Sequence, residues 1–270
     1  MDEQTVKKLS LEEQEKFARE GYLVARQLLR QEEVEELLQE MMGLNEQMRP
    51  QGQINSVPGA QVDPLIMYPR ILYPHRKSAV AHKYMLHPRV MHVLGGLFGE
   101  EPLAAQSMMY FKPPGARGQA LHQDNYYLRV EPGTCIAAWV ALDATDESNG
   151  GLVVVPRTNT LEIQCPHEAD LTKSFVNEEV DLPEGAVIVA VTMQPGDVLF
   201  FNGSTIHGSF PNATSDRFRR SFICHYVGES TLKIGRHINM DLYTRTGERV
   251  SREGNDNAGP CGTALVGEAH

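Results

Sequence analysis

Leu121-His122-Gln123-Asp124, followed at long range by His207-Gly208-Ser209 and then by Arg219-Arg220-Ser221-Phe222-Ile223-Cys224-His225-Tyr226-Val227, decides how this chain reads. In an extended strand side chains two apart share a face, so His122 and Asp124 can offer an imidazole and a carboxylate to one ion. The turn at Gln194-Pro195-Gly196-Asp197 feeds the apolar run Val198-Leu199-Phe200-Phe201, which leads to His207 near a strand end. Two histidines and one carboxylate on one face of an octahedral ion leave three positions open. Non-heme Fe(II) sites of that kind admit a chelating cosubstrate and O2.

The triplet alone is weak, because a chain with ten histidines produces His-x-Asp by chance and a lone histidine is more often a hydrogen-bonded core or surface group. The arginines add to it. Residues 219–227 read as a strand antiparallel to the preceding one and beside it, since the connection is short. An arginine entering that strand could grip the distal carboxylate of 2-oxoglutarate with its planar fork; the competing reading is a pair of exposed charges. Alternation groups Arg219 with Ser221, Ile223 and His225, and Arg220 with Phe222, Cys224 and Tyr226. It does not say which set faces the metal.

Further ordered blocks extend the pattern: Phe17-Ala18-Arg19-Glu20-Gly21-Tyr22-Leu23-Val24, Phe111-Lys112-Pro113-Pro114, Ala138-Trp139-Val140-Ala141-Leu142 and Asn149-Gly150-Gly151-Leu152-Val153-Val154-Val155-Pro156. Together they resemble the phytanoyl-CoA dioxygenase family of Fe(II)/2-oxoglutarate oxygenases. The resemblance implies a mainly β chain with a double-stranded β-helix (jelly-roll) core and N-terminal helices packed on one sheet. It implies that His122, Asp124 and His207 ligate Fe(II), that Ser209 and Arg219 hold the distal carboxylate of 2-oxoglutarate, and that Trp139 packs near it. The activity implied is hydroxylation of an unactivated C–H bond of a small-molecule substrate by O2, with succinate and CO2 as co-products. One departure stands out: His207 and the arginines are separated by one residue more than the family's usual spacing, so the choice of Arg219 over Arg220 depends on the alignment through His225-Tyr226.

Two other classes compete. A catalytically silent jelly-roll module would keep the metal ligands and lack a grip on the cosubstrate, against which Ser209, Trp139 and Arg219 together count. A zinc hydrolase on the same ligands would want a general base by the metal-bound water, and none stands out near the triad. Nothing marks a CoA site.

Composition bounds the rest. At 270 residues and 41% hydrophobic, one domain over 1–270 suffices, with a helical part at 1–102, the jelly-roll core at 103–227 and a hairpin and tail at 228–270. A net charge of -10 argues against nucleic acid as partner. The charged N-terminus and the lack of an apolar run of about 18 residues suggest neither signal peptide nor membrane anchor, so a cytoplasmic protein is expected. Cys135, Cys165, Cys224 and Cys261 are dispersed and suggest neither a disulfide framework nor a zinc cluster. Oligomeric state is left open.

Ser10-Leu11-Glu12-Glu13 has capping-box form and opens a helix to about Glu20. The apolar stripe Val34, Leu37, Leu38, Met41 predicts a second over Glu32–Met42, and Pro88 starts another running to Phe98. Residues 43–75 read as a long loop; Arg70, and beyond it Arg76 and Lys77, could point into the site, where the resemblance implies a basic residue for 2-oxoglutarate, but each reads first as surface charge. Strands are expected at 103–112, 120–130, 135–142, 152–155, 186–191, 198–201 and 219–227. The segment 157–184 suits a mobile cover over the barrel mouth or a passive surface loop. A hairpin through Thr246-Gly247 is expected in 240–250, then a poorly ordered tail from Ser251. His225 shares a face with Arg219 and could approach the site, but reads first as a satisfied core histidine. Of Tyr126 and Tyr127, one should face the cavity and the other the core. His237 and Asn239 read as exposed.

Overall fold

Ser10 opens helix α1 (Leu11–Glu20): its hydroxyl accepts from the Glu13 N–H while the Glu13 carboxylate accepts from the Ser10 N–H. The helix stops at Gly21, whose φ of 81° is left-handed and whose missing side chain would meet Thr205 Oγ1 at 2.5 Å. The chain, seen in a computed structural model that describes residues 9–48, 63–236, 238, 241–256 and 261, turns there into strand β1 (Tyr22–Ala25). Helix α2 (Gln31–Met48) outruns the expected end at Met42. Its buried stripe Val34, Leu37, Met41, Leu44 continues past Gly43, and burial of one more turn outweighs the roughly 1 kcal/mol a mid-helix glycine costs. After β2 (Ile71–Leu72) come α3 (Ala79–Met85), which the periodicity did not signal, and α4 (Pro88–Phe98), with Pro88 in its first turn as expected.

The strands follow. They are β3 (Pro102–Lys112), β4 (Gln119–His122), β5 (Ile136–Ala141), β6 (Leu152–Val154), the pair β7 (His167–Glu168) and β8 (Glu178–Glu179), β9 (Val189–Ala190), β10 (Val198–Asn202), β11 (His207–Ser209) and β12 (Arg219–Gly228). Four short ones close the described chain: β13 (Lys233–Gly235), β14 (Asp241–Tyr243), β15 (Arg249–Ser251) and β16 (Glu253–Asn255). The larger sheet runs β1-β10-β5-β12-β3-β14-β15, with β2 also on β3; the smaller runs β4-β11-β6-β9. The two antiparallel sheets form the jelly-roll core, and the helices cover the outer face of the larger one.

Packing decides the faces that alternation left open. Phe222, Cys224 and Tyr226 join Leu37, Met41 and Leu94 in the core under the helices, while Ile223 joins Trp139, Leu152 and Leu199 between the sheets. The odd-numbered residues of β12, Arg219 and His225 among them, therefore face the interior of the sandwich.

Several expectations are corrected. The strand through 120–130 ends at His122 and gives way to the short helix α5 (Asp124–Leu128). Tyr126, Tyr127 and Leu128 are all buried in one cluster, and a helical turn can bury three consecutive side chains beside a sheet end where a strand would turn one of them away. β12 does not lie beside β11; it pairs with β3 and β5 in the other sheet, so Arg219 faces β11 across the sandwich. The turn between them is pinned by Asn212, whose amide donates to the carbonyls of Lys112 and Arg217. Cys165 and Cys261 form a disulfide across 96 residues with Cα atoms 5.4 Å apart, which dispersed cysteines could not signal; Cys135 and Cys224 are free and buried.

The 43–75 loop carries β2 and a short 3-10 turn at Pro64–Ile66. The 157–184 segment is tied to β4 by backbone bonds from Gly118 to Lys173, Phe175 to Gly118 and Val180 to Leu121. β14 and β15 form the hairpin around Gly247, and β16 orders the start of the tail by pairing in parallel with β13. His237 and Asn239 lie outside the described residues. Among the described residues no helix is long and apolar enough to cross a membrane.

Candidate active site

β4 and β11 pair so that His122 stands opposite His207, bringing the imidazole centroids to 4.1 Å. Gln123 is extended (φ -123°, ψ 123°), so Asp124 stays on the side of His122 although helix α5 begins there. Asp124 Oδ1 lies 3.6 Å from Nε2 of both histidines. One ligand atom from each of the three residues falls within 4.8 Å of the others, and all three residues are buried.

Each histidine is held in one tautomer. His122 Nδ1 donates to the Ala120 carbonyl and His207 Nδ1 to the Thr205 carbonyl, both over 2.9 Å. Because a carbonyl only accepts, both Nδ1 atoms carry the proton and both Nε2 lone pairs point at the shared space, as a metal requires. Gln119 Nε2 contacts His122 Nε2 at 3.2 Å, in keeping with an accepting lone pair. Burial pushes the His207 pKa down despite Asp124 beside it, which favours the neutral ligand form. For Asp124 burial works to raise the pKa, but His207, then His225 and His122, outweigh it and hold the carboxyl well below the usual range.

Asp124 has a further partner. His225 Nε2 lies 2.9 Å from Asp124 Oδ2, and His225 Nδ1 meets the Gln106 amide at 3.1 Å. The amide nitrogen only donates, so His225 Nδ1 accepts and its Nε2–H is directed at the carboxylate. His225 is thus both readings at once: a buried, satisfied histidine that the inward face of β12 brings to the site.

The cavity beside the triad is walled by Met108, Tyr110, Trp139, Leu152 and Ile223, with Ser209 and Arg219 at one end. Arg219 is buried, and its guanidinium donates to the Gly150 carbonyl (3.1 Å) and Ser221 Oγ (2.8 Å) and sits 5.6 Å from the Trp139 ring centroid. Arg220 points away and forms a bidentate pair with Asp143 at 2.8 and 2.6 Å. Lys112, opposite Arg219 in the β3–β12 register, is a site residue that sequence reasoning passed over. It ends a buried 11-residue strand and is itself 1% exposed, and its ammonium donates to Ser209 Oγ at 2.7 Å and to the Phe210 carbonyl.

Neither Lys112 nor Arg219 has a carboxylate partner among the described residues. Burial, with Arg219 adding repulsion, pushes the Lys112 pKa well below its ordinary value, and burial lowers that of Arg219 to about 10, still charged at neutral pH. Gly150 makes room for the lysine: at φ 87° its absent Cβ would lie 2.2 Å from Lys112 Cδ.

Tyr127 lines the cavity and its hydroxyl donates to Glu178 at 2.8 Å, while Tyr126 packs edge-on against it at 5.0 Å. The Gln123 side chain accepts from Gln164 N (2.8 Å) and donates to Ser204 O (2.8 Å), fixing the residue between two ligands to the 157–184 segment and to the connection between β10 and β11. Arg76 and Lys77 are exposed as expected. Arg70 is half-buried against Tyr110.

The phytanoyl-CoA dioxygenase (PhyH) family model matches residues 17–221. A probable phytanoyl-CoA dioxygenase of Caenorhabditis elegans is 32% identical over 178 residues, covering 62% of this chain and 55% of that protein. The peroxisomal phytanoyl-CoA dioxygenase of Mus musculus is 27% identical over 259 residues, covering 91% of this chain and 74% of the relative. Among solved structures, the non-heme alpha ketoglutarate dependent carbocyclase SnoK from nogalamycin biosynthesis has a TM-score of 0.66 at 21% identity, covering 99% of this chain and 98% of that one. EctD from S. alaskensis with bound Fe gives 0.65 at 23%, covering 86% and 80%. The structural matches share the fold; the sequence match over residues 17–221, which include His122, Asp124, His207 and Arg219, shows that this chain belongs to the phytanoyl-CoA dioxygenase family.

Proposed function

We propose that the chain is an Fe(II)/2-oxoglutarate-dependent dioxygenase that hydroxylates an unactivated C–H bond of a small organic substrate. The observation that carries this reading is the pairing of two features in one cavity: a buried His-Asp-His cluster whose Nε2 lone pairs face one shared space, and a pair of buried basic groups answered only by neutral acceptors. The donor set suits Fe(II), and the basic end suits a carboxylate.

His122, Asp124 and His207 would hold the metal. Arg219, Lys112 and Ser209 would hold the distal carboxylate of 2-oxoglutarate, with Trp139 flanking the arginine. Iron and 2-oxoglutarate supply the oxidising chemistry when bound, with succinate and CO2 as co-products. The chain's own part is to fix three ligands on one side of the ion, orient the cosubstrate by its far end and exclude water with the walls of Met108, Leu152 and Ile223. Asp124 keeps a carboxylate among the ligands, which supports oxygen insertion or desaturation over halogenation.

The Arg219–Lys112 end counts against a silent metal-binding module, which would have no use for a carboxylate grip. A zinc hydrolase would need a general base, and the imidazole best placed, His225, is already committed to Asp124. The test is succinate formation from 2-oxoglutarate under Fe(II) and O2 across a library of small organic compounds. Substrate-stimulated succinate that disappears in His207→Ala supports the reading; succinate release insensitive to every triad substitution refutes it.

A further inference from the structure

The cysteines of this chain divide into two chemical kinds. Cys135 and Cys224 are buried thiols whose pKa burial pushes up, so neither offers a thiolate to solvent. Cys165 is exposed and bound to Cys261, and thiol–disulfide exchange is thereby confined to this one bond.

That bond rests on the helix that begins with a metal ligand. Ile163 and Cys261 both pack on the cluster to which Tyr126, Tyr127 and Leu128 of α5 belong. Next to Cys165, the Gln164 N–H donates to Gln123 Oε1 at 2.8 Å, and Gln123 stands between His122 and Asp124 in the chain. The tail reaches the same helix independently: Asn255, the last residue of β16, donates through its amide to the Arg129 carbonyl at 2.9 Å. Residues 163–165 and the tail therefore both hold α5, and Cys165–Cys261 joins one holder to the other. A helix of five residues does not keep its shape without outside support.

We propose that Cys165–Cys261 is a redox-controlled clasp on the metal site. Closed, it fixes α5 and with it the Asp124 carboxylate; opened by a dithiol, it lets α5 loosen and Fe(II) bind less tightly. The proposal goes beyond the dioxygenase reading and rests only on its assignment of the metal ligands. In the opening step a thiolate of the dithiol attacks the exposed Cys165 sulfur, the S–S bond breaks, and Cys261 leaves as a thiolate that takes up a proton. The second thiolate of the dithiol then attacks its own partner sulfur in the mixed disulfide and releases Cys165, which takes up the second proton. Two electrons pass to the cysteines, and the dithiol ends as a cyclic disulfide. A thiol-reducing compartment keeps such a clasp open and an oxidising one keeps it closed.

The test compares air-oxidised full-length protein with the same protein reduced by dithiothreitol and desalted anaerobically, beside a variant carrying both Cys165→Ser and Cys261→Ser. Hydrogen exchange is read by peptide mass on the metal-free samples, and Fe(II) affinity by anaerobic titration. Reduction is expected to speed exchange at residues 124–130 and 162–165 and to weaken Fe(II) binding, each about tenfold, the scale typical of a ligand's outer supports. Exchange in β5, β10 and β12 should stay unchanged, and reoxidation should restore the starting state. The double variant should match reduced protein and ignore dithiothreitol; if it fails to fold, reduced and reoxidised wild type carry the comparison. Equal exchange in the two states, equal measurable Fe(II) affinity, or acceleration spread over the whole chain, as from loss of a general staple, overturns the proposal. So does a double variant that still responds to dithiothreitol, or air-oxidised protein whose mass shows no disulfide. Fe(II) bound by neither state would instead defeat the ligand assignment and with it the proposed function, while the exchange measurement still judges the clasp.

Discussion

His225 Nε2 stands 2.9 Å from Asp124 Oδ2, joining the larger sheet to the first residue of α5 by a buried hydrogen bond. The contact occupies one carboxylate oxygen and leaves Oδ1 turned toward the two ligand imidazoles. Outer partners of metal ligands typically contribute about 10–100-fold in metal affinity. His225→Ala is therefore expected to weaken Fe(II) binding by about that factor, measured by anaerobic titration, and Gln106→Leu by less. Unchanged iron affinity in His225→Ala would show that Asp124 is oriented by α5 alone.

The three candidate ligands should behave alike. His122→Ala, Asp124→Ala and His207→Ala are each expected to abolish turnover and stoichiometric iron in the purified protein. A His207→Ala variant with wild-type iron content and rate would remove the triad from consideration.

Arg219 and Arg220 give opposite expectations. Losing a buried charge-assisted contact is worth about 2 kcal/mol, so Arg219→Ala should raise the KM for 2-oxoglutarate roughly 30-fold. Arg220→Ala breaks a partly exposed pair with Asp143, and should lower stability by no more than about 1 kcal/mol with little effect on that KM. The reverse pattern would mean that the extra residue before β12 shifts its register in solution.

Lys112 makes cosubstrate binding depend on pH. Burial and the Arg219 charge depress its pKa in the free site; a carboxylate beside it raises that pKa again, so binding takes up a proton. Affinity for 2-oxoglutarate should then be constant below the depressed pKa and fall as pH rises through the interval up to the raised one. The KM–pH profile tests this, and Lys112→Met should flatten it. A wild-type profile that rises in affinity with pH would contradict the assignment.

How far the chain was legible follows the length scale of each signal. The Ser10 capping box, Pro88, and the apolar runs of β3, β5, β10 and β12 span enough residues to show their period, and each forms where read. Helix α5 is a single turn of five residues, too short to display a 3.6-residue repeat, so it passed for the end of a strand. His122 and Asp124 nevertheless share a side, because the one residue between them is extended. The inward face of β12 depended on where the amphipathic helices dock, a tertiary fact, so alternation could pair His225 with Arg219 without placing either at the site, and the role of Lys112 was hidden with it. The Cys165–Cys261 bond joins segments whose proximity no local pattern records.

Gly150 turns a backbone detail into a marker for sorting sister sequences. With the lysine's methylenes filling the space where a side chain would stand, a gene copy that acquired alanine or anything larger there would displace Lys112 while leaving all three ligands untouched. Such a copy would still load iron and would have lost one hand of its grip on the cosubstrate. Position 150 thus acts on the cosubstrate end from outside the metal site, through Lys112 and through the carbonyl that Arg219 donates to.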